Sequence, residues 1–105
     1  MFKITPAAAE QILKAAKEGG AEGLALRLAA TQHADGTFDY RMGFDAVAEE
    51  DIRLQSEGIE IVMAPDDVVL LDTTLMDFVV LDDGQYQFIF INPKDANYQP
   101  PPANA

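Results

Sequence analysis

The sequence predicts a β-rich α+β domain in which one N-terminal helix precedes about six strands. Three observations support this class. An apolar stripe at helical spacing follows Thr5-Pro6, residues 23–45 alternate between apolar and polar side chains in two stretches, and short apolar runs separated by turn residues fill residues 52–91. A period of two gives a strand one apolar face, whereas a period of 3.6 gives a helix one.

The first elements are a short strand or lead-in over residues 2–5 and a helix that begins at Thr5-Pro6. The Thr5 hydroxyl can cap free amides, and proline fits the first helical position, where its missing N–H costs nothing. We expect the helix to run to about Glu18, because Gly19-Gly20 stops it. The predicted core stripe of this helix consists of Ala9, Ile12, Leu13 and Ala16.

Residues 23–45 predict a strand pair. The core-facing residues are expected to be Leu24, Leu26, Leu28 and Ala30 in the first strand, and Phe38, Tyr40, Met42 and Phe44 in the second. The loop between them, residues 31–36, ends in Asp35-Gly36, a dipeptide that accepts the positive φ of a tight hairpin turn.

The second half of the chain predicts further short strands and one helical turn. The expected elements are strands at 52–54, 59–63, 75–81 and 86–91, with a helical turn at 66–71. Asn92-Pro93 ends the last strand because proline cannot continue a ladder. The acidic pairs and triplet at 49–51, 66–67 and 82–83 fall in predicted turns, where solvation explains them better than catalysis.

Composition limits the function classes. The 105 residues are one domain's worth, 49% are hydrophobic, and the formal net charge is −11. Nucleic acids and anionic membrane surfaces require basic patches, so neither is expected as a partner. No secretory signal or spanning segment is recognisable, which makes a cytoplasmic location the default expectation. The charge is compatible with solubility, a basic protein partner or hard cations.

The central stretch, LRLAATQHADGTFDYRMGFD, resembles the characteristic block of the A-type iron–sulfur carriers, the HesB/IscA family. Leu26-Arg27-Leu28, Tyr40 and Gly43-Phe44-Asp45 match that block, and TPAAAEQI is similar to the family's helix start. Further matches continue in order to Asn92-Pro93; they are Pro65, Leu71-Asp72, Thr74, Asp77-Phe78-Val79, Gly84 and Phe88. The resemblance implies a HesB-like domain over residues 1–93, with the helix on a compact mixed-sheet sandwich or pseudo-barrel, and a flexible proline-rich tail over 94–105.

The resemblance also implies three cluster-binding cysteines, and this chain has no cysteine at all. Without gaps, Asp35, Gln99 and Pro101 stand at the matching positions. Iron–sulfur clusters are held chiefly by thiolates, whereas proline offers no ligand and aspartate is a hard oxygen donor. We therefore expect no conventional cluster as cofactor, and residual binding would need ligands from a partner or from glutathione.

The resemblance and the missing cysteines together predict a divergent, non-catalytic binding or accessory protein of iron–sulfur assembly. Its expected partners are proteins, cluster-assembly proteins among them, and a homo-oligomer is compatible with the sequence. Tyr98, in the polar tail, is a candidate docking residue. Two alternatives stay open: an acidic interaction scaffold without iron–sulfur work, and a hard-metal site at His33, Asp35 and Asp39. No set of residues suggests an enzyme.

Overall fold

The computed structural model describes residues 1–98 of the chain, and these form two helices and seven strands. In chain order the elements are β1 (Lys3–Ile4), α1 (Pro6–Glu18), β2 (Ala25–Gln32), β3 (Phe38–Asp45), β4 (Ile52–Ser56), β5 (Ile59–Met63), α2 (Pro65–Leu71), β6 (Leu75–Val80) and β7 (Tyr86–Ile91). Every predicted strand and the N-terminal helix are present. The predicted helical turn is a helix of seven residues.

The strands form two mixed sheets. One has the order β1-β6-β7 and the other β3-β2-β5-β4. Each sheet has one parallel pair, β1 with β6 and β2 with β5, while the other neighbours are antiparallel. The predicted class, a β-rich α+β fold with mixed sheets, is therefore confirmed.

The core lies between the sheets and α1. Its fully buried large side chains come from β2, β5, β6, α2 and the N-terminal lead-in; they are Phe2, Leu26, Leu28, Ile61, Met63, Leu71 and Met76. Two predicted core residues lie outside it. Leu13 is 59% exposed because α1 buries the neighbouring stripe through Ala8, Ala9, Ile12 and Ala16. Leu24 is 47% exposed because β2 begins one residue later.

Both ends of α1 follow the sequence-based prediction. The Thr5 side chain accepts a hydrogen bond from the Ala8 amide at 3.1 Å, and the Gly19 amide bonds to the Ala15 carbonyl at 2.9 Å. The Thr5 hydroxyl also donates to Oδ1 of Asp77 at 2.6 Å, which fixes the start of α1 to β6. No helix of residues 1–98 is long and apolar enough to cross a membrane.

Candidate functional site at the hairpin corner

The loop between β2 and β3 is a three-residue hairpin turn with a glycine bulge. The His33 amide donates to the Thr37 carbonyl at 2.8 Å, and the Gly36 amide donates to the His33 carbonyl at 3.0 Å. Gly36 has φ +87°, the left-handed conformation that glycine adopts without steric cost. The predicted Asp35-Gly36 turn is therefore confirmed.

The segment that follows β7 packs against this loop. The Ala96 amide donates to the Gly36 carbonyl at 2.9 Å, and a Cβ placed on Gly36 would lie 3.4 Å from Cβ of Ala96. The Tyr40 hydroxyl donates to Oδ2 of Asp95 at 2.7 Å, and the Tyr40 ring stacks on Phe90 with centroids 4.4 Å apart. We call residues 33–37 and 92–98 together the hairpin corner.

Two side chains tie the start of this segment to α2. The buried Asn92 amide donates to the Leu70 carbonyl at 2.9 Å, and the Lys94 ammonium donates to the Val69 carbonyl at 2.6 Å. The Asn92 carbonyl oxygen also accepts from the Lys94 amide at 3.0 Å, which closes a local turn. Residues 92–98 are thus positioned from two sides, by α2 and by the hairpin loop.

Asp95 is a corner residue that the sequence analysis did not identify. Asp95 is buried. Its Oδ2 accepts the hydrogen bond from the Tyr40 hydroxyl, and its Oδ1 accepts one from the Asn97 amide at 2.9 Å. Burial and the bond to Asp95 raise the pKa of Tyr40 well above its usual range. The signal in the sequence was faint: a single acidic residue three positions beyond Asn92, in a segment predicted to be flexible.

The described residues of the predicted tail are therefore hydrogen-bonded to the fold as far as Tyr98. The Tyr98 amide donates to the Asp95 carbonyl at 2.9 Å, and its side chain stays partly exposed. Gln99 and Pro101, two of the positions predicted to match family cysteines, lie outside the described residues. A domain boundary at residue 93 stays a prediction.

The three candidate metal ligands divide into a pair and a separate residue. His33 Nε2 and Asp39 Oδ2 lie 2.7 Å apart. The Asp35 carboxylate instead accepts hydrogen bonds from the Thr37 amide at 2.9 Å and the Thr37 hydroxyl at 2.6 Å, and these bonds lower the pKa of Asp35. Over residues 1–98, no three His, Asp or Glu side chains converge in a way that could hold a metal ion.

The residues of the corner do not fit an iron–sulfur cluster. Clusters are held chiefly by cysteine thiolates, and the chain contains no cysteine. At the loop position predicted to match a family cysteine, the carboxylate of Asp35 accepts hydrogen bonds from Thr37 within the turn. The loop therefore keeps its conformation without offering the donor that a cluster requires.

A second polar constellation surrounds Arg27 in the LRL motif. Its Nε donates to Asp45 at 2.7 Å, and its two terminal nitrogens donate to both oxygens of Asp51 at 2.7 and 2.5 Å. This forked contact lowers the pKa of Asp51 to about 2, lowers that of Asp45, and raises that of Arg27. Asp51 was predicted to lie in a solvated turn, but its side chain is only 4% exposed, and it also accepts a hydrogen bond from the Ala48 amide.

The chain is similar in sequence to one known protein and in structure to three solved proteins. A protein from Aquifex aeolicus (strain VF5) is 33% identical over 81 residues, which cover 76% of this chain and 70% of the relative. A solution structure of a protein from Aquifex aeolicus has a TM-score of 0.65 at 33% identity, over 88% of this chain and 91% of that one. No known protein-family model matches the chain.

The crystal structure of IscA with its [2Fe-2S] cluster decides the family, with a TM-score of 0.68 at 26% identity over 89% of this chain and 83% of that one. The chain belongs to the HesB/IscA family of A-type iron–sulfur carriers. Escherichia coli SufA, involved in biosynthesis of iron–sulfur clusters, shares the HesB/IscA fold at a TM-score of 0.74 and 24% identity, over 94% of this chain and 86% of that one. This chain is a HesB/IscA member without cysteine.

Proposed function

We propose that this protein is a non-catalytic accessory member of iron–sulfur cluster assembly that binds partner proteins in the cytoplasm and holds no conventional cluster itself. The observation that carries the proposal is the structure of the hairpin corner, where Asp35 stands at the position predicted for the loop cysteine. Its carboxylate bonds within the turn, and Ala96 bonds to Gly36 beside it. A hairpin corner that is ordered but has no thiolates favours a role in which the protein binds partners through its surface.

Anaerobic reconstitution with iron and sulfide tests the loss of the cluster. The natural protein is expected to remain without the visible absorption of an iron–sulfur chromophore, because it supplies no thiolate. The matched control is the triple variant Asp35→Cys, Gln99→Cys, Pro101→Cys, which restores a thiol at each matching position. We expect this variant to develop the absorption and to bind iron and sulfide in fixed ratio.

A stable cluster of fixed stoichiometry in the natural protein would overturn the proposal. A triple variant that folds, as judged by circular dichroism, and still takes up no iron would show that the three matching positions are wrongly assigned. Far-ultraviolet spectra of both proteins should superimpose, since Asp35 is an exposed loop residue outside the helices and strands.

The net charge of −11 favours one alternative, an acidic scaffold that has left iron–sulfur work. Affinity capture with the natural protein and with Tyr98→Ala separates the two proposals. Purified cluster-assembly proteins that bind the natural protein, and bind Tyr98→Ala more weakly, favour the accessory role with Tyr98 as a contact. Binding only to unrelated basic proteins, abolished by moderate salt, favours the scaffold.

A further inference from the structure

An apolar cleft opens between the C-terminal half of α1 and the turn that joins β4 to β5. Its volume is about 340 Å³, which is large enough for a concave binding site. Leu13 and Leu24 line the cleft and are 59% and 47% exposed, although their sequence pattern is that of core residues. The less exposed lining comes from α1, β2, β3 and β5, and it includes Ile12, Ala16, Leu26, Phe44 and Ile59. The cleft therefore leaves apolar side chains open to solvent within residues 1–98.

Two exposed carboxylates flank the cleft. Lys17, Glu22 and Glu60 belong to its lining, and Glu57 lies beside it in the turn between β4 and β5. Glu60 is bonded to Arg53 at 2.7 Å, whereas Glu22 and Glu57 form no ion pair within residues 1–98. The net charge of −11 adds to the acidity of this surface. A partner with basic groups around an apolar centre therefore matches the cleft in charge.

The backbone of the β4–β5 turn supports a binding role. Glu57 and Gly58 have φ values of +51° and +78°, as in the two-residue turns that usually contain Asn-Gly or Asp-Gly. A glutamate is unfavourable in this left-handed conformation, where asparagine is better tolerated. Strained residues of this kind are concentrated at functional sites. The turn thus presents a carboxylate beside the cleft at a cost in backbone energy.

The main chain beside the cleft favours a helix as the occupant. The Ala21 amide donates to the Ala16 carbonyl at 2.8 Å, and the Leu24 amide donates to the Ala21 carbonyl at 3.1 Å. These amides, like those inside α1, have no free hydrogen to offer an extended peptide. A helix satisfies its own main-chain groups and needs only side-chain contacts from such walls.

We propose that the cleft binds an amphipathic helix of a partner protein. An apolar side chain of that helix enters between Leu13 and Leu24. Its lysine or arginine residues face Glu22 and Glu57. The apolar contact supplies most of the affinity, and the charges orient the helix and exclude acidic partners. This inference rests on the proposed function in one respect, namely that the protein acts by binding other proteins.

Synthetic peptides of about 18 residues, long enough to form an isolated helix, are the probes. The first is built from Ala, Leu and Arg, with Leu along one helical face and Arg on both sides of it. The second has Glu in place of Arg, and the third has the composition of the first in an order that scatters Leu around the helix. By fluorescence anisotropy, the first should bind the natural protein at least about ten-fold more tightly than the others, and should gain helical circular dichroism on binding.

Single substitutions locate the site. Leu13→Ala and Leu24→Ala should each raise the dissociation constant of the first peptide about five- to ten-fold, because each removes apolar contact. Glu57→Asn should also raise it, and should reduce its dependence on salt, because one attractive charge is lost. Asparagine suits the left-handed turn, so urea unfolding of this variant should show no loss of stability.

Two matched variants control for non-specific effects. Val69→Ala removes a side chain that is 68% exposed on α2, and Asp82→Asn removes an exposed carboxylate from the turn between β6 and β7. Neither should change the dissociation constant by more than about two-fold. Urea unfolding establishes that each variant folds, and Leu13→Ala should fold normally because its side chain is mostly exposed.

Several results would overturn the proposal. Equal binding by Leu13→Ala and Val69→Ala would show that the peptide binds elsewhere, and equal binding of the acidic or the scattered peptide would remove the argument for a basic amphipathic helix. Peptide binding that weakens as the protein concentration rises would show that a second copy covers the cleft. Uptake of a cluster by the natural protein would contradict the proposed function and leave these peptide measurements unaffected.

Discussion

Thr73 adopts a backbone conformation that is unfavourable for its residue type. It has φ +76°, and Glu57 is the other non-glycine residue with positive φ within residues 1–98. A branched Cβ clashes with the following carbonyl there, which is why glycine usually occupies such positions.

Replacing Thr73 with Gly should therefore stabilise the protein. We expect the free energy of unfolding to rise by about 1 kcal/mol, since removal of a left-handed penalty of roughly 1 to 2 kcal/mol outweighs the extra chain entropy of glycine. Urea denaturation followed by circular dichroism measures the change. Thr73→Ala is the control: it keeps a Cβ and should gain less than Thr73→Gly.

Arg27 and Asp51 form the least exposed ion pair among the described residues. We expect this pair to make the free energy of unfolding depend on pH in the acidic range. The pKa of Asp51 falls from 3.8 to about 2 in the folded protein. A carboxyl whose folded pKa is depressed stabilises above its unfolded pKa and loses that contribution as pH falls toward the folded value. The stabilisation is thus present at neutral pH and disappears between about pH 4 and pH 2.

The variant Asp51→Asn should be less stable than the natural protein at neutral pH and should lose less stability on acidification across that window. Urea unfolding at a series of pH values from 7 to about 2 measures both effects. Asp45→Asn serves as the comparison, because the side chain of Asp45 is 55% exposed and should contribute less. Equal slopes for Asp51→Asn and the natural protein would contradict the assignment.

At the scale of elements, the bond between Tyr40 of β3 and Asp95 should hold residues 94–98 on the hairpin loop. In Tyr40→Phe the Asp95 carboxylate loses its 2.7 Å partner while largely buried, so we expect a loss of about 1 to 2 kcal/mol in the free energy of unfolding. Amide exchange at Ala96, which donates to Gly36, should accelerate in the same variant.

The conservative control for this change is Tyr86→Phe. Tyr86 is 67% exposed, so loss of its hydroxyl should leave stability and the exchange of Ala96 nearly unchanged. If Tyr40→Phe behaved like this control, the hydrogen bond to Asp95 would not position the segment.

The elements were largely predictable because each depends on local signals. A few neighbouring residues determine each of these signals, which are the cap at Thr5, the stop at Gly19 and the alternation from residue 24 to 45. The contacts of the hairpin corner and of Arg27 were not predictable in this way. Asp95 lies 55 positions from Tyr40, and Asp51 lies 24 from Arg27. Only the folded topology brings these groups together.

At the scale of the whole molecule, the candidate site is formed by segments that are far apart in the sequence. Its loop belongs to the four-stranded sheet, while Asn92 follows the three-stranded sheet and bonds to α2. The absence of cysteine was visible from composition alone, and the resemblance supplied the positions where thiolates were expected. The sequence could not show that Asp35 turns its carboxylate to Thr37, because that choice depends on hydrogen-bond geometry within the loop.

The parallel pairing of β1 with β6 has a consequence for the protein during its synthesis. Lys3 and Ile4 pair with Leu75 and Met76, and the Thr5 hydroxyl bonds to Asp77. Residues 3–5 thus leave the ribosome well before the strand with which they pair. Helix α1 can form early, but its N-terminal anchor cannot close until β6 has emerged, so we expect folding to finish late and nearly all at once.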